Sequence, residues 1–393
     1  MIQALFAHAA PYTGYVYPNE TVIPWSLLIV VYPYITGLVA GAFIVSSLYH
    51  VFDMPQFKPI ARFALLTALC FLLFAPLSLL IHLGRPERAL HAVLTPHWTS
   101  AMAAFGYIAL FYLVVLALEI WFAFRADMVG LSKTAAGARR LLYRALTLGT
   151  DDVSPAALAY DHRWARALAI IGIPSAAGLH GYVGFIFGSL KSREWWSSDL
   201  MPIIFLLSAI VSGVALLVIL YVAVWKLRRV PLQHDCLSGL AKVMWAFLTV
   251  TLVIEALEYV EMFYRAREGI DTIFRLIEGP LWPGLLIQGV GSVVAFAVLT
   301  ALITRAAPGR RYVAWLVFSA VLLAIAVLSM RWNVVIGGQE LSKTMRGLLT
   351  YRPEFFGREG ILTSLLLLVG PLPVLWFLTR LLPPWLPPRA ASV

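Results

Sequence analysis

The chain has 393 residues, 61% hydrophobic and only 13% charged, with a mean hydropathy of +0.84. Soluble domains carry about 25% charged and about 45–50% apolar residues. A soluble enzyme, a disordered chain and a nucleic-acid-binding domain are therefore excluded. The net charge of +10 is read instead as the basic loops of a membrane protein.

A helix needs about 20 apolar residues to cross a bilayer. The sequence predicts an all-α polytopic bundle of nine such helices, within a range of eight to ten. They cover residues 23–50, 60–82, 98–124, 164–190, 200–225, 243–264, 281–304, 312–332 and 361–382. The chain reads as one membrane domain with two parts. A first four-helix bundle covers 23–190, and a second covers 200–382 with a long outer loop at 332–360. The N-terminal stretch MIQALFAHAAPYTGYVYPNE lacks Lys and Arg and is read as part of the mature protein.

Lys and Arg decide orientation. With the N-terminus outside and the C-terminus inside, 18 of the 30 Lys and Arg lie on the inner side and 12 on the outer side. The long inner loop contains KTAAGARRLLYRALTLG, a basic amphipathic stretch suited to the leaflet surface.

Span one reads VVYPYITGLVAGAF. Tyr32 and Tyr34 flank Pro33 in its outer third, as belt residues or as part of a pocket. Gly37 and Gly41 have the spacing of a helix-packing motif. Span two ends at His82, followed by Gly84, Arg85, Pro86, Glu87 and Arg88. Two Arg at an interface orient a carboxylate or a headgroup, or simply anchor a helix end. His91 and His97 follow, but their spacing is not diagnostic of a metal, and no metal site is expected. Glu119 in span three and His50 lie nearer the inner side, where they either continue a proton route or face headgroups.

In span four, His180 and Tyr182 sit in the outer half. Each both donates and accepts a proton, so a quinone contact and a His satisfied by a backbone carbonyl both fit. Gly178, Gly181, Gly184 and Gly188 allow close packing there. Span six reads VIEALEYVEMFYRAR. Ionisable groups inside a span are costly and face cavities or partners. Glu255, Glu258 and Glu261 fall on one helix face at three-residue spacing, which suits a proton path toward the outer surface. A pairing of Glu261 with Arg265 is the structural alternative. Gln288 in span seven is a buried amide that needs a partner. Arg331, Trp332 and Asn333 end span eight, before a turn at Gly337, Gly338 and Gln339.

The two cysteines, Cys70 and Cys236, are too few for an iron–sulfur cluster, which takes four. Without a CxxCH, covalent c-type haem is excluded as well. Any electrons it handles therefore pass to a cofactor that it does not carry covalently, or to a partner.

PYITGLVAGAFIVSS, HLGRPERA, RWNVVIGGQELSKTMRG and RPEFFGREG together resemble the NrfD/polysulfide-reductase membrane-subunit family over nearly the whole chain. The later segments are similar to its longer, DsrP-like branch, linked to dissimilatory sulfite reduction. The resemblance implies a haem-free, quinone-reactive subunit in the prokaryotic cytoplasmic membrane, using menaquinone or another quinone. It implies an extracytoplasmic ferredoxin-like iron–sulfur partner, with further cytochrome subunits in some complexes. Proton translocation varies between members. Carried over by residue, the quinone pocket involves Tyr32, Tyr34, His180 and Tyr182, with His82 and Arg85 at its mouth. With the intramembrane residues read above added to these, catalysis is expected of His180, Tyr182, Glu255 and Glu258, and quinone contact extends to Gln288. Docking falls to Arg85, Arg88, Arg331, Trp332 and Asn333. Some relatives carry an acidic residue where this chain has His82.

Two other readings remain. A b-haem cytochrome needs facing His residues, for which His82 and His180 are the outer pair. A secondary transporter suits the prolines Pro33, Pro76 and Pro174 and the intramembrane Glu255.

Overall fold

A computed structural model describes residues 22–97, 99–266, 269–305, 309–345 and 347–385. The N-terminal stretch and Trp98 lie outside the described residues. The helices, in chain order, are α1 (Leu27–His50), α2 (Lys58–His82), α3 (His91–Leu94), α4 (Ala101–Thr134), α5 (Gly137–Leu146), α6 (Pro155–Gly188), α7 (Met201–Leu227), α8 (His234–Arg265), α9 (Ile270–Glu278), α10 (Trp282–Arg305), α11 (Arg310–Val335), α12 (Gly337–Glu340), α13 (Ile361–Val369) and α14 (Pro371–Leu381). Nine spans among the described residues are long and apolar enough to cross a membrane. Successive spans alternate in direction, so the bundle has a Trp25 end and a His50 end.

Helix α1 is the axis. Its apolar run is almost wholly buried, and it packs on α2, α6, α7, α11 and α13. One hydrophobic core takes residues from both halves of the chain. Gly41 explains why α1 and α7 come so close. A Cβ there would sit 2.6 Å from the Gly213 Cα, which only a bare backbone tolerates.

The helices run past the apolar stretches at the His50 end. α4 continues to Thr134, α6 starts at Pro155 and α8 starts at His234. Charged residues there have partners on neighbouring helices. Arg62 pairs with Asp127, and Arg125 Nε holds both oxygens of Asp161 at 2.7 and 2.8 Å. Paired charges let a helix leave the apolar band without stranding an ion. The amphipathic stretch forms α5, whose buried Tyr143 hydroxyl donates to the Leu381 carbonyl at 2.8 Å.

The ninth span divides at Gly370 into α13 and α14. At the Trp25 end, the segment after α12 straps across the bundle. The Tyr351 hydroxyl accepts from the Leu27 amide at 2.9 Å. Arg358 donates to the carbonyls of Ile81 and Leu83 at the end of α2.

Candidate functional site

Two polar groupings, the first half-buried and the second fully buried, lie in the half of the bundle nearer the Trp25 end. The first is built by α8, α10 and α11. Gln288 Nε2 donates to Glu255 Oε2 at 3.1 Å. Asn333 Nδ2 donates to Gln288 Oε1 at 2.9 Å. The three side chains form one chain of hydrogen bonds across three helices. One turn along α8, Glu258 accepts from the Ser198 hydroxyl at 2.6 Å. Glu255, Glu258, Gln288 and Asn333 line a cavity of about 60 Å³, together with Trp195, Met201, Ile204, Tyr259, Met262, Met330 and Val334. Asn333 Oδ1 is buried there without a hydrogen-bond partner. Gly284 of α10 makes room for that oxygen, because a Cβ at this position would overlap it.

The second grouping is centred on Arg331, which is 0% exposed. Its Nη2 donates to His180 Nε2 at 3.1 Å, the Phe205 carbonyl at 3.1 Å and Ser208 Oγ at 2.9 Å. The guanidinium also stands 3.9 Å from the centre of the Phe205 ring. A guanidinium only donates, so His180 Nε2 accepts. The ring proton is thereby assigned to Nδ1, which faces Thr36 Oγ1 at 3.3 Å. Thr36 donates in turn to carbonyls of α1. His180 thus spends both ring nitrogens on holding α1 and Arg331.

The predicted residues therefore divide. Glu255, Glu258, Gln288 and Asn333 come together. His180 joins Arg331 and Thr36, while Tyr182 turns to α4, donating to the Ala101 carbonyl at 2.8 Å. Tyr34 donates to the Ala324 carbonyl of α11 at 3.0 Å. The Tyr32 and Phe105 rings meet edge to face, 5.7 Å between centres. Each of these side chains is thus engaged by a neighbouring helix. Glu261 pairs with Arg265.

The sequence places Arg331 and Asn333 on a docking surface, but both are buried. The reason is that α11 continues to Val335, so these residues face the bundle interior. Trp332 is half-buried against Tyr351. Arg85 and Arg88 are exposed at the rim. His82 Nδ1 lies 2.9 Å from Glu359 Oε2. Partial burial alone would raise the Glu359 carboxyl. Hydrogen bonds from Ser26 and His82 outweigh that and hold it below the usual carboxylate range. His91 and His97 bond the nearby Thr95 and Thr99, and no group of three metal-ligating residues forms among the described residues.

Sequence reasoning missed what holds the end of α11. Trp195 Nε1 donates to the Asn333 carbonyl at 2.9 Å, and Trp196 Nε1 to the Val334 carbonyl at 2.5 Å. Gln339 clamps the backbone of Trp25, accepting from its amide at 2.8 Å and donating to its carbonyl at 3.1 Å. Two adjacent Trp in the polar REWW segment were the available signal, since indole N–H groups seek acceptors when buried.

Fold and site together define a polytopic helical membrane protein with an intramembrane acid–amide chain. The sequence profile described as "Polysulphide reductase, NrfD" matches residues 17–342, and the chain belongs to that family. It is 33% identical over 318 residues to a selenate reductase subunit of Mesobacillus selenatarsenatis, covering 79% of this chain and 73% of that one. It is 24% identical to the Hdr-like menaquinol oxidoreductase integral membrane subunit of Archaeoglobus fulgidus, covering 81% and 71%. A putative dimethyl sulfoxide reductase membrane subunit of Halobacterium salinarum is 28% identical over 60% of this chain and 51% of that one.

Proposed function

We propose that this chain is the quinone-reactive membrane subunit of a multi-subunit oxidoreductase. In this reading the Trp25 end faces the extracytoplasmic side of a prokaryotic cytoplasmic membrane. There it meets a ferredoxin-like iron–sulfur subunit at a rim that includes Arg85 and Arg88. The basic excess on the loops of the His50 end supports the orientation. The names of the relatives, one of them a menaquinol oxidoreductase subunit, support the quinone.

The observation that carries the reading is the unpartnered Asn333 Oδ1 beside the Glu255–Gln288 chain. A bound quinol supplies two electrons and two protons. The donor set fits such a headgroup. Asn333 Oδ1 would accept a hydrogen bond from a quinol hydroxyl, Gln288 fixes the amide orientation, and Glu255 would take the proton as a general base. Glu258, one turn nearer the Trp25 end, receives it next. Trp195 and Ile204 supply apolar walls. The cavity of about 60 Å³ is smaller than a ring. The unbranched Met201, Met262 and Met330 are the side chains able to give way. Arg331, held by His180 and Ser208, fixes α11 and so the position of Asn333.

Within this reading the 331–360 segment favours the DsrP-like branch, with a sulfur compound as terminal substrate and proton translocation as a coupled step. His180 is poorly suited to bind a haem iron, because Arg331 occupies its Nε2 lone pair.

The test is to purify the assembly from its native membrane and add menaquinol. An iron–sulfur subunit that co-purifies and shows menaquinol-dependent cluster reduction by electron paramagnetic resonance is expected. A complex without such a subunit, or clusters that stay oxidised, overturns the proposal.

A further inference from the structure

At the His50 end a cleft of about 680 Å³ opens between α1, α2, α4 and α6. His50, Lys58, Arg62, Asp127 and His162 line it, with Ala123 and Ala126 on its α4 wall. The Arg62–Asp127 pair sits in it, and Asp161 of the Arg125–Asp161 pair faces it as well.

Glu119 lies one helical turn deeper than Ala123 on α4. It is 0% exposed, and neither carboxyl oxygen has a hydrogen-bond partner. Two turns deeper still, the Tyr112 hydroxyl is equally buried and equally without a partner.

Helices α1 and α4 run in the same direction. The Phe43 and Tyr112 rings meet at 5.6 Å, which sets their register. Seven residues further along each helix come His50 and Glu119, both about 10 Å nearer the cleft. Ser46 and His50 share the face of α1 that carries Phe43. Ser46 Oγ and His50 Nε2 are also buried without partners. Four polar side chains with spare bonding capacity therefore line one wedge, from the cleft inward to Tyr112. Buried polar atoms are nearly always bonded, and water takes up what the protein leaves open. An isolated carboxylate charge is not sustained in such surroundings; a protonated acid is.

We propose that Glu119 is a proton-binding carboxyl, supplied by water from the cleft past His50 and Ser46, with Tyr112 as the inner limit of the route. The step is proton exchange alone: the Glu119 carboxyl passes its proton to a neighbouring water and takes one back from hydronium that arrives through the cleft, so the acid and the water are both restored. It needs no redox partner and does not rest on the quinone reading.

The experiment is infrared spectroscopy of the full chain in phospholipid vesicles during exchange into heavy water. A carbonyl band of a protonated carboxylic acid is expected, shifting on exchange and absent in Glu119→Gln. Filling the cleft wall with Ala123→Phe, or removing the imidazole with His50→Ala, is expected to slow the shift at least tenfold. A spectrum that Glu119→Gln leaves unchanged overturns the proton-binding assignment. A band whose exchange neither Ala123→Phe nor His50→Ala slows overturns the route. No quinone or partner is present, so either failure is separate from failure of the proposed function.

Discussion

His180 Nε2 accepts a hydrogen bond from Arg331 Nη2 at 3.1 Å inside the bundle. This bond ties together two residues that the sequence reading kept apart. The histidine serves the arginine, and the arginine holds the helix that carries Asn333.

The first prediction follows from that bond. His180→Phe removes one acceptor from a buried cation, a loss worth about 1.5–3 kcal/mol for a hydrogen bond to a charged group. The thermal midpoint of the purified chain in detergent is expected to fall, with quinol oxidation largely retained below it. Lost activity at an unchanged midpoint assigns His180 to the reacting ring instead.

Glu255 behaves in the opposite way. Glu255→Gln keeps an oxygen that accepts from Gln288 Nε2 but removes the base. Quinol oxidation is expected to fall by about 100-fold or more, the usual scale of lost general-base catalysis, while the thermal midpoint stays put. Glu258→Gln acts in the same direction but less, being one step removed. Steady-state oxidation of a menaquinol analogue checks both, and near-normal turnover in Glu255→Gln removes the assignment.

These two residues show how much a sequence makes legible. The spans are readable because an apolar run of bilayer length is a local signal. Their extensions at the His50 end are not, because Arg62–Asp127 and Arg125–Asp161 join residues far apart in the chain. Glu255, Glu258 and Gln288 stand out as costly groups in apolar surroundings. Their assembly with Asn333, and the clamp of Gln339 on Trp25 across 314 residues, depend on packing that no local pattern encodes. Arg331 is misplaced for a related reason. A cation near the end of an apolar run looks like an interfacial anchor until the helix is seen to continue past it.

The crossing of α1 and α7 gives a third prediction. Gly41→Val puts a branched side chain where the first carbon already lies 2.6 Å from Gly213 Cα and 2.8 Å from the Ala209 carbonyl oxygen. Both neighbours are backbone, so the helices must separate. Overpacking of this kind costs about 1–3 kcal/mol, and more where backbone is involved. A lower thermal midpoint and poorer recovery from the membrane are expected. The exposed Gly178, with open space around its Cβ position, is the control: Gly178→Ala is expected to be neutral or slightly stabilising, since it replaces glycine by the best helix former.

The strap across the Trp25 end gives the last prediction, and its sign follows from Glu359. Hydrogen bonds from Ser26 and His82 hold this carboxyl below its ordinary value, against the effect of partial burial. A group whose folded value is depressed adds stability above its unfolded value, about 4.3 for Glu. That contribution is lost as pH falls through the lower, folded value. The strap is therefore pinned at neutral pH and loosens as acidification passes below the unfolded value and through the lower, folded one. Hydrogen exchange of the backbone amides of residues 351–362 reads this directly. Protection in the wild type is expected to drop as pH is lowered through that window, after correction for intrinsic exchange. In Glu359→Gln it should be weaker at neutral pH and nearly flat with acid, because the titrating group is gone. The pairing reaches beyond the strap itself, since Arg358, the neighbour of Glu359, binds the last carbonyls of α2. Loss of the Glu359 contacts should thus be felt at Leu83 as well as in the strap. A wild-type acid profile identical to that of Glu359→Gln contradicts the role given to the carboxylate.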